Sequence, residues 1–433
     1  MAKIALIGAG SVVFTQNLIT DIFLFPELRD SRIALMDIDA ERLRVADHIV
    51  RQVVREKGGD EKQVSATLDR REAIQDADYV VNTVQVGGFE ATLTDFNVPK
   101  KFGLKQTIAD TTGIGGIMRC LRTMPVLEGI LRDMEELAPD GWLLNYTNPM
   151  AMLVWGASRL SGVKSVGLCH SIPNTAWQLS DYMSVPWEEL RYRAAGINHF
   201  AFFLELRRNG EDLYPRLRKV MEDPEIRAKD PVRFEGLRRF GYFVSESSEH
   251  FSEYLPYFIK KDHPEFIEQF RIPIDEYIRR CESYNSWWES FHKEMENGGG
   301  VEVSDSFSGE FGPLIIHSME TNTPRVVYGN VANHGLIDNL PPGCAVELPC
   351  AVDGLGLTPT AMGNLPPQLA ALMRTNINVQ ELAVEAALTH RKDYAYQAAF
   401  LDPHASAELT LDEIAAMVDE LLAEHGDLIP PLR

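Results

Sequence analysis

The feature that most constrains this chain is its first forty residues. Lys3 to Ile7 is a short apolar run that stops at Gly8-Ala-Gly10-Ser11, and a helix-compatible stretch from about Thr15 to Leu24 follows. A second apolar run, Arg32-Ile-Ala-Leu-Met-Asp37, ends in an acid. Strand, glycine turn, helix, strand and terminal acid is the order of a dinucleotide-binding unit. Gly8 and Gly10 let the backbone turn sharply beside a pyrophosphate, Ser11 opens the helix whose N-terminus faces that charge, and Asp37 is placed to accept from ribose hydroxyls, which favours NAD over its 2′-phosphorylated form. The third glycine of GxGxxG is missing, since Val13 stands there, so an empty turn of the same shape is the competing reading.

The alternation continues. Asp39 is a plausible N-cap for a helix reaching about Glu56, with Leu43, Ala46, Ile49, Val50 and Val53 on one face. Asp78 to Thr83, Gly141 to Tyr146 and Lys164 to Cys169 read as further buried strands. The expected fold class is therefore α/β: a Rossmann-like, doubly wound sheet over residues 1–195, followed by a mixed α+β domain over 196–433, an organisation like that of lactate and malate dehydrogenases. In the second half Phe200–Leu206, Val326–Val331 and Ala345–Leu348 read as strands, the last two as a small sheet roofing the crevice. Stretches around 215–240 and 263–295 read as charged helices, Gly298–Gly300 as a break, and Thr410 to about Gly426 as a capped, docked helix.

Composition removes several function classes. With 42 Lys and Arg against 63 Asp and Glu the net charge is −21, which offers no attraction to nucleic acid or an anionic membrane. No apolar run is long enough to span a bilayer, the N-terminus does not read as a signal peptide, and five cysteines without CxxC spacing fit a reduced, cytoplasmic setting.

Polar residues gather at strand ends, where such a sheet places its ligand. Asn148 precedes Pro149 with a carboxamide able to meet sugar or nicotinamide hydroxyls; capping a turn is its structural alternative. Cys169 and His170 end one strand, and His199 leads into another; a thiolate and an imidazole can hold a divalent transition metal, or each can be a core residue. Gly113 to Arg122 is a glycine-rich turn and helix with Arg119 and Arg122 on one face, either lining the ligand or salt-bridged at the surface. Phe243 to Tyr254 concentrates acids, a histidine and a tyrosine, as a source of a general base or as a solvated loop.

Taken in order, Gly8-Ala-Gly-Ser11, Thr107 to Arg119, Leu144 to Met152, Gly167-Leu-Cys-His-Ser171, Gly196-Ile-Asn-His199 and Glu246-Ser-Ser-Glu-His250 resemble glycoside hydrolase family 4, the NAD- and metal-dependent glycosidases, and within it the α-galactosidase branch. The resemblance implies Cys169 and His199 as ligands of Mn²⁺ or another divalent metal, and Asn148 as a substrate contact. It implies hydrolysis by oxidation at C3 of the sugar with bound NAD, metal-assisted removal of the C2 proton, elimination, water addition and re-reduction. The chain departs from phospho-sugar members: His170 follows the cysteine where they have Asp, and Gln85 to Thr92 lacks their arginine, so an unphosphorylated glycoside is expected. His170 is then the candidate leaving-group acid. Ser247 falls where relatives carry a Tyr or Asp base, and Glu246 is the candidate base, with Glu249 and Tyr254 behind it. An α-glucuronidase or α-galacturonidase of the same family is the alternative, and a hydroxyacid dehydrogenase the alternative from another class; a homodimer or homotetramer is expected.

Overall fold

Six short apolar strands carry the N-terminal part: β1 (Lys3–Ile7), β2 (Arg32–Met36), β3 (Val64–Thr67), β4 (Tyr79–Asn82), β5 (Trp142–Asn145) and β6 (Lys164–Gly167). The computed structural model describes residues 1–433 apart from the side chain at position 296. These strands pair in parallel in the order β3-β2-β1-β4-β5-β6. Helices on both faces leave no solvated side, which is why β1 runs Ile4, Ala5, Leu6, Ile7 without a polar residue, all buried. Asp39 caps the helix Ala40–Glu56 by accepting from the amides of Glu41 and Arg42. The strand order reverses between β1 and β4, so a crevice opens at their C-terminal ends.

The second half extends this sheet. β7 (Leu190–Ile197) and β8 (Phe200–Arg208) form a hairpin, followed by β9 (Glu211–Asp212), β10 (Arg325–Ala332), β11 (Ala345–Asp353) and β12 (Gly356–Pro359). The sheet continues β6-β10-β11-β7-β8-β9, with every added pair antiparallel and β12 on β11. The roof expected of β10 and β11 is therefore corrected: they join the main sheet, covering the edge that β6 would otherwise expose. Residues 344–350 are all buried, whereas a roof strand would expose alternate residues. Position 195 lies inside β7, so the sheet is continuous across it.

The charged helical stretches resolve into Tyr214–Val220, Pro224–Arg227, Pro231–Phe240, Glu265–Gln269 and Glu276–Glu296. Prolines 224 and 231 start two of them, where a missing amide hydrogen costs nothing. The capping box at Thr410 and Glu413 forms as expected and opens the helix Leu411–His425. At the end of that helix His425 Nε2 lies 2.8 Å from Asp95 Oδ1, and Arg122 holds the same carboxylate from the other side with bonds of 3.1 and 2.6 Å. All three side chains are buried, fastening the C-terminal helix to Gly88–Lys101 and Gly113–Leu137. Among the described residues no helix is long and apolar enough to cross a membrane, and the five cysteines are free.

Candidate active site

The turn after β1 has the conformation its glycines predict. Gly8 adopts φ +93°, where a side chain would be strained, and a Cβ there would meet the Thr83 carbonyl carbon at 2.9 Å. Gly10 donates its amide to Asp37 Oδ2 at 2.7 Å, and a Cβ on it would lie 2.6 Å from that oxygen. Asp37 Oδ1 accepts from the Asp39 amide at 2.9 Å, so the carboxylate is fixed at the end of β2. The helix Val12–Leu24 begins after Ser11 with no side-chain cap and no acid in its first turn, leaving its amides open to an anion. Val13, in place of the third glycine, is exposed and does not press on the sheet. This cradle fits a dinucleotide.

A second group of functional atoms stands where β6 ends. Cys169 follows β6, and His199 is the second residue of the tight β7–β8 turn, at φ +60°. A non-glycine residue held left-handed is costly and persists where its surroundings over-determine it. Cys169 Sγ and His199 Nε2 lie 3.2 Å apart, and Glu246 Oε2 is 3.5 Å from the same nitrogen. The three ligand atoms fall within 4.8 Å of one another. Sulfur and nitrogen ligands at ~2.3 and ~2.0 Å from one ion, subtending a right angle, are separated by about 3.1 Å, so the pair fits a divalent metal. Burial pushes the Cys169 thiol up to about 12, and a cation is what would reverse that preference and keep the thiolate.

Glu246 was expected as a base, and it sits with the metal pair. Burial works against its charge, but His250, His199 and His170 outweigh this and bring it down to about 2. Burial lowers His250 in turn, so that the pair is an ionised carboxylate beside an imidazole that favours its neutral form. His250 Nδ1 lies 3.1 Å from Ser247 Oγ and 3.6 Å from Glu246 Oε1, while its Nε2 is 3.9 Å from Asp110 Oδ1. Asn148 donates to Asp110 Oδ2 at 3.0 Å, and Arg119 donates to the Asn148 carbonyl at 3.2 Å. Arg119 and Arg122 are buried, which removes the surface reading of that helix. Likewise the acidic segment is no solvated loop: Ser248–Tyr254 is a helix whose residues from His250 onward are buried. Of the reserve bases, Glu249 faces Arg280 at 3.4 Å, and Tyr254 is buried with its hydroxyl 3.1 Å from Thr111 Oγ1. Glu253 instead holds the approach to Asp110, accepting from the amides of Thr107, Ile108 and Ala109 at 2.5, 3.2 and 3.1 Å.

His170 is exposed beside this cluster with Nδ1 3.5 Å from Glu310 Oε1, and hydrogen bonding to that carboxylate raises its imidazole to about 9. Glu310, Tyr277 and Glu347 escaped the sequence reading. Tyr277 meets Arg119 at 3.4 Å, and the buried Glu347 on β11, beside the hairpin, is pushed up to about 7 by burial. Each comes from a distant segment with no local motif; only the proximity of chains in space reveals them. The arginines at 193, 207, 208, 238 and 239 pair with the surface acids Glu205, Glu189 and Glu235, away from the cluster.

The sequence matches the family described as family 4 glycosyl hydrolase over residues 3–185 and its C-terminal domain over residues 194–405. It is 46% identical to an alpha-galactosidase of Bacillus subtilis (strain 168) over 99% of both chains. It is 35% identical to an alpha-galactosidase of Rhizobium meliloti (strain 1021), covering 99% of this chain and 89% of the other. A crystal structure of a 6-phospho-alpha-glucosidase from gut microorganisms, in complex with NAD and Mn²⁺, superimposes with a TM-score of 0.83 at 22% identity over the whole of both chains. With the dinucleotide turn and the thiol, imidazole and carboxylate cluster at the C-terminal end of one sheet, these matches make the chain a member of glycosyl hydrolase family 4.

Proposed function

We propose that this chain hydrolyses unphosphorylated α-galactosides with NAD and a divalent metal, Mn²⁺ foremost, by oxidation at C3, loss of the C2 proton, elimination and water addition. The observation that carries the reading is the Cys169, His199 and Glu246 cluster, set beside a turn built for a dinucleotide. The alpha-galactosidase relatives support the sugar. When bound, NAD⁺ supplies a hydride acceptor and the metal an electrophile for neighbouring sugar oxygens.

The chain's own residues do the rest. Gly8 and Gly10 admit the pyrophosphate to the helix N-terminus, Ser11 opens that helix, and Asp37 accepts from the ribose. Cys169 and His199 hold the cation, with Glu246 as a third donor in reach. Asn148, braced by Asp110 and Arg119, orients the sugar. Because an acid with a value of about 2 is a weak proton acceptor alone, the C2 proton passes to Glu246 and His250 acting as a pair, the carboxylate orienting the imidazole. Glu310 fixes the Nδ1 proton of His170 and turns Nε2 outward, where it can serve a departing alkoxide. A cytoplasmic homodimer or homotetramer is proposed, the free cysteines supporting the compartment.

The buried Arg119 is the one guanidinium beside Asn148 among the described residues, and it favours a galacturonide as the second reading. Hydrolysis of p-nitrophenyl α-galactoside against the α-galacturonide and α-glucuronide, with NAD⁺ and Mn²⁺ and with EDTA as control, decides. Turnover of the galactoside that EDTA abolishes supports the proposal; preference for a uronide rejects the sugar.

A further inference from the structure

The segment from Tyr277 to Glu310 begins and ends beside the candidate active site and, between those ends, runs over the helices that follow β2 and β1. At its start the Asp275 amide donates to the Gln106 carbonyl at 2.9 Å and the Tyr277 amide to the Thr107 carbonyl at 3.0 Å, on the loop that carries Asp110. At its finish Glu310 stands against His170, and the Gly312 amide donates to Tyr146 Oη at 2.9 Å. Between these anchors the helix Glu276–Glu296 lies over the first turn of the helix that follows Asp37. The guanidinium of Arg42 lies 4.5 Å from the centre of the Trp288 ring and 5.8 Å from that of Tyr284. The same Arg42 has its Cβ 2.8 Å from where a Gly10 Cβ would be, beside the Asp37 carboxylate. Tyr284 has a buried hydroxyl on the Arg42 guanidinium, and Ile38, next to Asp37, is 90% exposed. A guanidinium laid against two aromatic rings and a bare aliphatic side chain beside the ribose-binding acid are a flat and an apolar surface left for a ligand.

After the helix the chain turns at Gly298, φ +81°, and follows the outer faces of the helices Ala40–Glu56 and Val12–Leu24. Its bonds there are few and polar. His48 Nε2 is 3.0 Å from the Gly299 carbonyl oxygen, Gln52 accepts from and donates to Val301 at 3.0 and 2.9 Å, and Gln16 donates to the Glu302 carbonyl at 2.8 Å. Lys57 pairs with Asp305 at 2.6 Å, and Ser308 Oγ donates to Asp21 at 2.6 Å. Asp21 is buried and Phe307 adds a ring contact to Phe25 at 4.8 Å between centroids, but the bonds are otherwise exposed or half-buried, and such a run opens locally without unfolding the sheet beneath it.

We propose that residues 277–310 are a strap forming the outer wall of an adenosine site, in which Trp288 and Tyr284 hold the Arg42 guanidinium flat so that its free face stacks on the purine. The inference rests on the NAD reading above. A dinucleotide that is oxidised and reduced within one turnover has no need to leave, and a strap tied down on both sides of the crevice makes it a resident group.

The test is release of NADH from the Mn²⁺-containing protein, measured by chasing prebound NADH with excess NAD⁺ and following energy transfer from tryptophan to the nicotinamide. W288A is expected to release NADH at least tenfold faster than wild type and to lose the largest share of the transfer. W288F restores most of the slow release, because a ring remains under Arg42. Q52A, which cuts two surface bonds of the strap, also speeds release while keeping the transfer, and it carries the test should W288A fail to fold. W187A, remote from the crevice, behaves as wild type. Release of NADH from W288A or Q52A at the wild-type rate overturns the strap. Failure of the wild-type protein to bind NADH at all overturns instead the reading on which it rests.

Discussion

Adding one methyl group at Gly10 tests the dinucleotide site with little else disturbed. The backbone there is not left-handed, so Gly10→Ala strains nothing by conformation alone. The cost is steric: the new Cβ would lie 2.6 Å from Asp37 Oδ2, 2.8 Å from Arg42 Cβ and 2.9 Å from Asp37 Cγ. An ordinary contact is ~3.5 Å or longer, so Asp37 must move by most of an ångström. Its carboxylate is held by the amides of Gly10 at 2.7 Å and Asp39 at 2.9 Å, and it leaves them only by surrendering charge-assisted bonds. Overpacking of this kind costs about 1–3 kcal/mol of stability. Binding suffers more, because the displaced carboxylate no longer meets the ribose hydroxyls. Two bonds to a charged acceptor, at ~1.5–3 kcal/mol each in full and about half that beside solvent, correspond to a 10- to 100-fold rise in Kd for NAD. Titration calorimetry with NAD⁺, beside a thermal melt to confirm folding, measures it. Mn²⁺ affinity at Cys169 and His199 should stay within threefold of wild type. A folded Gly10→Ala protein that binds NAD⁺ as wild type does would refute the placement of the ribose on Asp37.

Other expected outcomes follow from separate parts of the molecule. Cys169→Ser exchanges a soft thiolate for a poor ligand, and Mn²⁺ titration should show at least tenfold weaker binding with the melting temperature of the metal-free protein nearly unchanged; equal affinity would remove Cys169 from the ligand set. Asp95→Asn leaves Arg122 buried without its counter-charge and should cost about 3–5 kcal/mol in denaturant unfolding, whereas a change below 1 kcal/mol would show that the cluster is not isolated from water. Burial lowers His404 from 6.5 to about 4, so the unfolded chain takes up its proton first and stability is lost as pH falls from 6.5 towards 4, by roughly 3 kcal/mol. Asp402, raised by burial to about 6, slopes the other way in the same window and offsets it, so the comparison is wild type against His404→Gln, whose stability should rise relative to wild type as pH falls from 6.5 towards 4; parallel curves would contradict the assignment.

The parts legible in the sequence were those written locally. The β1 turn, the Asp39 cap and the Thr410 capping box are each decided by residues a few positions apart, and each formed as read. The Cys169 and His199 pair could be named from the family strings, yet spacing alone left it open, because a strand end and a hairpin turn 30 residues apart meet only once β10 and β11 have been inserted between β6 and β7. That insertion was missed: an antiparallel strand buried on both faces reads like any short apolar run, and nothing in Val326–Val331 says which edge it will cover. The charge of Phe243–Tyr254 suggested solvent, but His250 and Glu253 are buried because their partners, Asp110 and the amides of 107–109, lie some 140 residues away in sequence. Glu310 next to His170 is of the same kind, a contact made by the strap and not by any motif.

The central claim is that the glycosidic bond is broken after the C2 hydrogen has been removed and not by direct displacement at C1. Hydrolysis of p-nitrophenyl α-galactoside in D₂O, with NAD⁺ and Mn²⁺ present, followed by proton NMR of the released galactose, tests it directly. The expected result is galactose carrying deuterium at C2 from the first turnovers, many sugars per NAD⁺, and no net accumulation of NADH. Galactose that retains its protium at C2 would contradict it.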